Sequence, residues 1–475
     1  MIPISNAFRA ELDQIIRRRG RCQVLISYES GGSGSIEEDN VQKIEFHGTG
    51  DPLSRQLPTE ECTLSAIDLD HEWDPAYPGS LYEETLKGAE LTIRIGIETE
   101  SGTVEWSEWV RYHINGAVVW KNNIATFKGI RDLARLGNTF HQMNWTDSNL
   151  GQLAASVSMA QELGSDTDYY VSCDIDPELY EQAVLDNAVL PENSVKDSLL
   201  SIAVAGCATL KTNHNGVVYL RDYWSRNPEV NPCIIRADDI MEQPSVEVLP
   251  YARYENITYL SDVADSETRM TDVLKASGAT NITASDEPLY LRFDSPILAS
   301  SFLFSSQTNI RELEFNLYRT GIEITKLTRT NSSANWSMTG RAEKAETVST
   351  TKSIDFLMSL TERGTEDEEL SGPLLNNHNY MAVAAFRLGY LRYTRYLYSF
   401  PYRGDPSIEP LDIIRIELLD GTVKKFIVVD HTFTYQNGFS GKIAARRIDV
   451  ERSEHNYTGA VSDFAVSDYA VSDEG

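Results

Sequence analysis

Between Asn379 and Ile448 the spacing of apolar residues switches from a helical period to a period of two, and this switch limits what the segment can fold into. Met381, Ala384, Ala385, Leu388 and Leu391 fall at i, i+3, i+4, i+7 and i+10, the spacing that lines one face of a helix. Beyond Pro401–Asp412, Ile414, Ile416 and Leu418 alternate with Ile413, Arg415 and Glu417, which predicts a half-buried strand. Asp420-Gly421 supplies a tight turn, Phe426 and Val428 resume the alternation, and Asn437-Gly438 marks another turn before Lys442–Arg447. A helix feeding a set of hairpins reads as an assembly module and not as a catalyst.

At 475 residues the chain is too long for one ordinary domain, and three or four are expected. Residues 1–147 read as strands after a short helix at Ala7–Arg18, with Gly31–Ser35 as a flexible loop and hairpin turns at Ser101-Gly102 and Asn115-Gly116. Val104, Trp106, Trp109–Tyr112 and Ile124–Phe127 give this region its sheet-forming content. Residues 148–245 change character. Leu150–Leu163 and Ser194–Ala205 have helical spacing, Ser194 is placed to cap the second helix, and Asn215-Gly216 turns the chain between two strands. A second β unit is expected from 246–265 and 346–452, interrupted by an inserted β sandwich at 266–345, with an acidic repeat tail at 453–475. The expected class is multi-domain and mainly β, with one α+β domain.

Charge excludes some functions. The chain has 71 acidic and 42 basic residues, a formal net charge of −29, which opposes attachment to phosphate backbones and anionic lipid. No run of about 18 apolar residues occurs, so no membrane span is expected, and the N-terminal segment does not read as a signal peptide. Cys22, Cys62, Cys173, Cys207 and Cys233 are odd in number and lack a Cys-x-x-Cys pair, which predicts free thiols in a reducing cytoplasm.

Candidate chemistry is sparse. Asp68, Asp70, Glu72 and Asp74 alternate with Leu69, His71 and Trp73, which on an extended segment puts four carboxylates on one side, and calcium takes such oxygens. The calcium-loop pattern wants glycine where Trp73 stands, so the other reading is a polar strand edge entering the Asp74-Pro75 turn. Glu366–Glu369 reads as a solvated loop. No metalloprotease His-Glu-x-x-His, nucleophile elbow or phosphate-binding glycine loop occurs, and the eight histidines are scattered. No cofactor and no catalytic residue is expected, although two nearby carboxylates suffice for glycosidase chemistry and the sequence does not single out a pair. Arg387, Arg392 and Arg395, set among tyrosines, are expected at an intersubunit or interdomain contact, their stems covering apolar surface. In the repeat Ala460–Phe464, Ala465–Tyr469, Ala470–Glu474, Phe464 and Tyr469 are candidates for docking into a neighbouring subunit, the alternative being a disordered acidic tail.

The order of these segments resembles a known family. An Arg/Tyr-rich helix end, the Arg403-Gly404-Asp405-Pro406 turn, Ile408-Glu409-Pro410-Leu411-Asp412 opening a strand, and Tyr435-Gln436-Asn437-Gly438-Phe439-Ser440-Gly441 resemble the last domain of tail-tip and baseplate-hub proteins of tailed bacteriophages. Leu57–Leu64, Asp74–Ser80 and Leu91–Gly96 resemble the N-terminal β domain of siphophage and prophage minor tail proteins. Leu200–Cys207 followed by Val217–Leu220 is similar to a helix-then-hairpin segment of the same hubs. The resemblance covers roughly 40–260 and 346–450. It implies two tube-like β barrels or sandwiches of hub type and a non-enzymatic virion protein assembled in the bacterial host cytoplasm. It further implies a homotrimer whose ring continues the tail tube. Implied partners are the distal tail or tail-tube protein and a tip, fibre or tape-measure protein, with roles in host attachment and genome ejection. The alternative is a carbohydrate- or receptor-binding tail protein acting through 266–345, where Trp336 and several tyrosines occur.

Overall fold

The computed structural model describes residues 1–14, 19–52, 56–86, 88–136, 139–140, 143–158, 173–181, 185–190, 193–222, 233–249, 252–264, 289–292, 303–318, 321–331, 335–339, 346–354, 366–376, 379–436 and 438–448. The described chain is mainly β, as its alternating segments predict. Its central feature is one 15-stranded sheet that takes strands from both ends of the chain.

The first β unit begins with a helix, Asn6–Leu12, capped by Ser5, whose hydroxyl accepts from the Phe8 amide at 3.0 Å. The helix buries Phe8 and Leu12 beside Ile97. Strand Arg19–Ser27 alternates from Cys22 onward, with Cys22, Val24 and Ile26 inward, and pairs antiparallel with Glu90–Glu98. Val41–Thr49, Thr59–Ile67, Val110–Ile114 and Ile124–Ile130 complete the unit around a core that includes Ile44, Leu64, Leu91, Ile93, Tyr112 and Phe127. Gly31–Ser35 is not a loop throughout. Ser33–Ile36 is a strand paired with Val24–Ser27, because Tyr28–Gly32 already completes the turn and a glycine-rich strand can pair along a sheet edge.

The α+β unit packs the helices Leu150–Ser158 and Val195–Ala205 on short strands around Leu153, Leu179, Leu199, Ile202, Leu210 and Leu220. Ser194 caps the second helix as expected, accepting from the Asp197 amide at 3.2 Å. Asn213 and Gly216, with φ +83°, make the turn between Ala208–Thr212 and Val218–Asp222.

The second β unit joins Ile234–Ile235, Ser245–Val248, Tyr396–Tyr402, Ile413–Glu417, Val423–Tyr435 and Phe439–Ile448 around Phe400, Tyr402, Ile414, Ile416, Phe426 and Val428. The predicted alternation of Ile414 and Ile416 and the Asp420-Gly421 turn are both present. The sequence division that groups 246–265 with 346–452 joins strands of two different sheets. Ser245–Val248 lies in the large sheet, whereas Ala252–Ala264, Glu346–Ile354 and Glu366–Asn376 form a separate three-stranded one. Glu366–Glu369 is therefore strand and not loop: its backbone pairs in parallel with Ala252–Asn256, and ladder pairing outweighs the acidic composition. Helix Tyr380–Tyr393 packs against this small sheet. Its buried face holds Val383, Ala384, Arg387, Tyr390 and Leu391, while Met381, expected inside, is 40% exposed. Ala384 and Leu391 are buried as the spacing predicts, and the side chains of Ala385 and Leu388 lie outside the described residues. Within 289–339, two small antiparallel sheets are described, one of three strands and one of two. Among the described residues no helix is long and apolar enough to cross a membrane.

Candidate functional site

The two β units meet along the hairpin formed by Val423–Tyr435 and Phe439–Ile448. One edge of the long strand pairs with Ile413–Glu417 through Val423–Ile427, and further along with Val41–Thr49 of the first unit through Asp430–Tyr435. The same strand thus serves both units. Phe433, 1% exposed, sits opposite Phe46 and stacks on it with centroids 5.9 Å apart, and Phe46 stacks on Tyr112 at 5.7 Å. Gly20 is required beside the hairpin tip, since a Cβ there would come within 2.5 Å of Phe439 and 2.9 Å of Tyr435. Arg446 reaches across to Asp51 at 2.5 Å.

Below this seam, the Arg403–Asp412 segment carries charge into the interior. Gly404 (φ +78°) and Leu411 (φ +67°) bend it, and the Asp405 and Asp412 carboxylates accept from the Ser407 and Glu409 amides, each at 2.8 Å. Glu409 is thereby aimed at a cluster built from three units. Arg131, on the first unit, donates from Nη2 to Glu409 Oε1 at 3.0 Å; Lys211, on the α+β unit, lies 3.1 Å from Glu409 Oε2 and 3.4 Å from Asp412 Oδ1. The Met1 ammonium pairs with Glu409 at 2.9 Å and Asp412 at 2.8 Å, and Glu60 lies 3.7 Å from Arg131 Nε. Arg131, Lys211, Glu409, Asp412 and Glu60 are all buried, and the Arg131 guanidinium stands 5.1 Å from the Tyr112 ring centroid.

The two glutamates are driven in opposite directions. Burial pushes the Glu60 carboxyl up to about 7, with the Glu409 charge adding to the rise against Arg131. Burial acts on Glu409 too, but Lys211, the N-terminal ammonium and Arg131 together hold it well below the usual carboxylate range. A second knot lies nearby. Arg9 pairs with Asp405 and donates to Ser407 Oγ at 2.8 Å, and the Cys233 thiol donates to Asp405 at 3.1 Å. Burial opposes ionisation of Asp405, yet Arg9 and these donors bring it down to about 2. Tyr402 and His431 share a 2.7 Å hydrogen bond, and burial pushes His431 down to about 4. Chemically, these groups clamp one another: carboxylate oxygens of Asp405, Glu409 and Asp412 accept from protein donors inside the fold, so the arrangement fixes how the units sit together.

The residues singled out from sequence fall elsewhere. Asp68–Asp74 is a sequence of turns with His71 at φ +58°, not an extended strand, so the alternation that would line its carboxylates along one side is absent. Asp68 is buried and accepts from the Glu72 and Trp73 amides and from Trp120 Nε1 at 2.8, 3.0 and 3.0 Å. Asp74 accepts from the Ala76 amide and His71, Asp70 is exposed, and Glu72 is half-buried. The first two are turn caps. Arg387 is buried where the α+β helix, Asp51 and Phe386 meet, an interdomain position. Arg395 donates to the Leu249 carbonyl at 3.3 Å, and the Arg392 side chain lies outside the described residues, as do Phe464 and Tyr469. Sequence reasoning missed Glu60, Arg131, Lys211, Glu409 and Asp412 as a group. Its one available signal was the acidic pair within Ile408–Asp412, which entered only through the family resemblance.

No protein-family model matches the sequence, and no curated protein does. Among solved structures, the chain is similar to the 43 kDa tail protein of prophage MuSo2 from Shewanella oneidensis, at 8% identity and a TM-score of 0.45, over 90% of this chain and 99% of that one. It is similar to the tail protein from Neisseria meningitidis MC58, at 10% identity and a TM-score of 0.43, over 90% and 96% of the two chains. It is also similar to prophage tail protein gp18 from Listeria monocytogenes EGD-e, at 6% identity and a TM-score of 0.40, over 93% and 97%. The solved structures that this chain resembles in these three comparisons are tail proteins.

Proposed function

We propose that this protein is a non-catalytic structural component of the tail tip or baseplate hub of a phage or phage-like particle, where three copies form a ring that continues the tail tube. The observation that carries this reading is the hairpin Val423–Ile448, which lays two β units of one chain side by side in a single sheet. Two such barrel-like units per chain make six in a threefold ring, a pseudo-sixfold surface suited to a hexameric tube. The ion cluster beneath the hairpin supports the same reading, because it locks both units and the α+β unit into one body. The order of hub-like motifs along the sequence supports it as well.

In this role the ring joins a tail-tube or distal tail protein on one side to tip, fibre or tape-measure proteins on the other. Acidic side chains facing the channel would let DNA pass without adhering, consistent with the net charge of −29. Ring closure rests on burial of intersubunit surface and not on a reaction. Electron microscopy of the purified protein, alone and co-expressed with neighbouring tail proteins, tests the reading. Threefold rings with a central channel are the expected result; particles that stay monomeric under both conditions would overturn it.

A further inference from the structure

A groove of about 710 Å³ opens on the outside of the first β unit, away from the seam's ion cluster. Strand alternation puts Arg21, Gln23 and Leu25 on its floor while Cys22, Val24 and Ile26 point into the core. Arg94, directly across from Gln23 in the ladder, donates from Nε to Gln23 Oε1 at 2.7 Å. Its guanidinium lies 4.7 Å from the ring centroid of Trp106 and 4.4 Å from that of Trp109. Gly96 makes room for this arrangement: a Cβ there would come within 2.7 Å of the Trp106 ring, so the indole lies directly on the strand. Both tryptophans remain half-exposed. At the rim, Arg21 pairs with Glu98 at 2.7 Å and with Glu38 at 3.5 Å, which fixes the polar side chains as well.

We propose that this groove binds a neutral oligosaccharide. A sugar ring presents an apolar C–H face and an edge of hydroxyls, and it is held by aromatic planes flanked by planar or charged hydrogen-bonding groups whose positions are already set. Trp106 and Trp109, braced by Arg94, supply the planes. Gln23, Arg21 and Glu98 supply donors and acceptors along one side. The other ligand classes fit less well. An apolar molecule would strip water from the exposed edges of Arg21 and Gln23 and offer no hydrogen bond in its place. Nucleic acid and acidic glycans meet Glu37, Glu38 and Glu98 in the lining. The proposal does not rest on the hub reading, since it is argued from the side chains of the first unit alone.

The test is a titration of the full chain with neutral hexose and N-acetylhexosamine oligosaccharides, followed by tryptophan emission and calorimetry. Saturable binding is expected for at least one of these glycans, weakened about three- to tenfold by W109A and also by Q23A. Gln23 is exposed, so Q23A keeps the fold and guards against misreading an unfolded variant. Absence of saturable binding across the panel, or binding untouched by both substitutions, would overturn the proposal.

Discussion

Arg131 and Glu409, 278 positions apart in sequence, meet at 3.0 Å with side chains 4% and 5% exposed, and Glu409 also takes the charge of Lys211. Removing one member of a buried ion set leaves the others charged without a counterpart, which costs more than the set itself contributes. E409A is expected to lose about 3–5 kcal/mol of stability in urea denaturation. A loss under about 1 kcal/mol would mean that water enters and takes over the role of the carboxylate.

Glu60 sets a pH dependence of opposite sign to the usual acidic group. Its carboxyl rises from 4.5 to about 7 on folding, so between those values the folded chain keeps a proton that the unfolded chain has released. The stabilisation from this group is complete below pH 4.5 and is lost as pH rises through 7. E60Q, neutral at every pH, should flatten that decline relative to the parent chain between pH 5 and 8. Parallel urea-midpoint curves for the two proteins would show that Glu60 does not titrate there.

Phe433 belongs by sequence to the second β unit and by packing to the first. F433A should cost about 3–5 kcal/mol through the lost burial and the cavity left against Phe46. Because the loss falls on the seam, proteolysis should detect it between the units before either core opens. Equal protection of the whole chain in the variant would contradict this.

Gly404 combines a left-handed backbone with contact against another strand. A Cβ there would lie 2.6 Å from the Ser440 carbonyl oxygen and 2.9 Å from its nitrogen, and φ is +78°. G404A is expected to destabilise by about 2 kcal/mol or more, since neither strain nor backbone clash is relieved by a rotamer change. By contrast G421A, at φ +80° with open space around it, should cost only the conformational part. Equal melting temperatures for the two variants would refute the distinction.

What the sequence reveals here is mostly local. The alternation through Ile414 and Ile416, the Asp420-Gly421 turn and the Ser194 cap could be read because each depends on neighbours within a few residues. The helix at 380–393 was readable as a helix, and Ala384 and Leu391 as part of its buried face, but Tyr390 was not, because it enters the interior to meet Ile427 of the second unit. Glu366–Glu369 looked like loop because composition says nothing about the Ala252–Ala264 strand waiting beside it. The ion cluster was hidden for the same reason. Glu60, Arg131, Lys211 and Glu409 are ordinary surface residue types, and only the pairing of distant segments makes them interior.

The hairpin has a further consequence for how the protein is made. Strand Val41–Thr49 has its second neighbour in Asp430–Tyr435, about 380 residues later in the chain. At about 5–20 residues per second a ribosome needs about 20–75 s to deliver that partner. Throughout this interval the nascent first unit exposes an incomplete edge and the hollow meant for Phe433, the kind of surface that invites wrong pairing between chains. Completion of the first unit therefore waits for a segment made long after its own strands, and that downstream hairpin acts as the unit's closing piece.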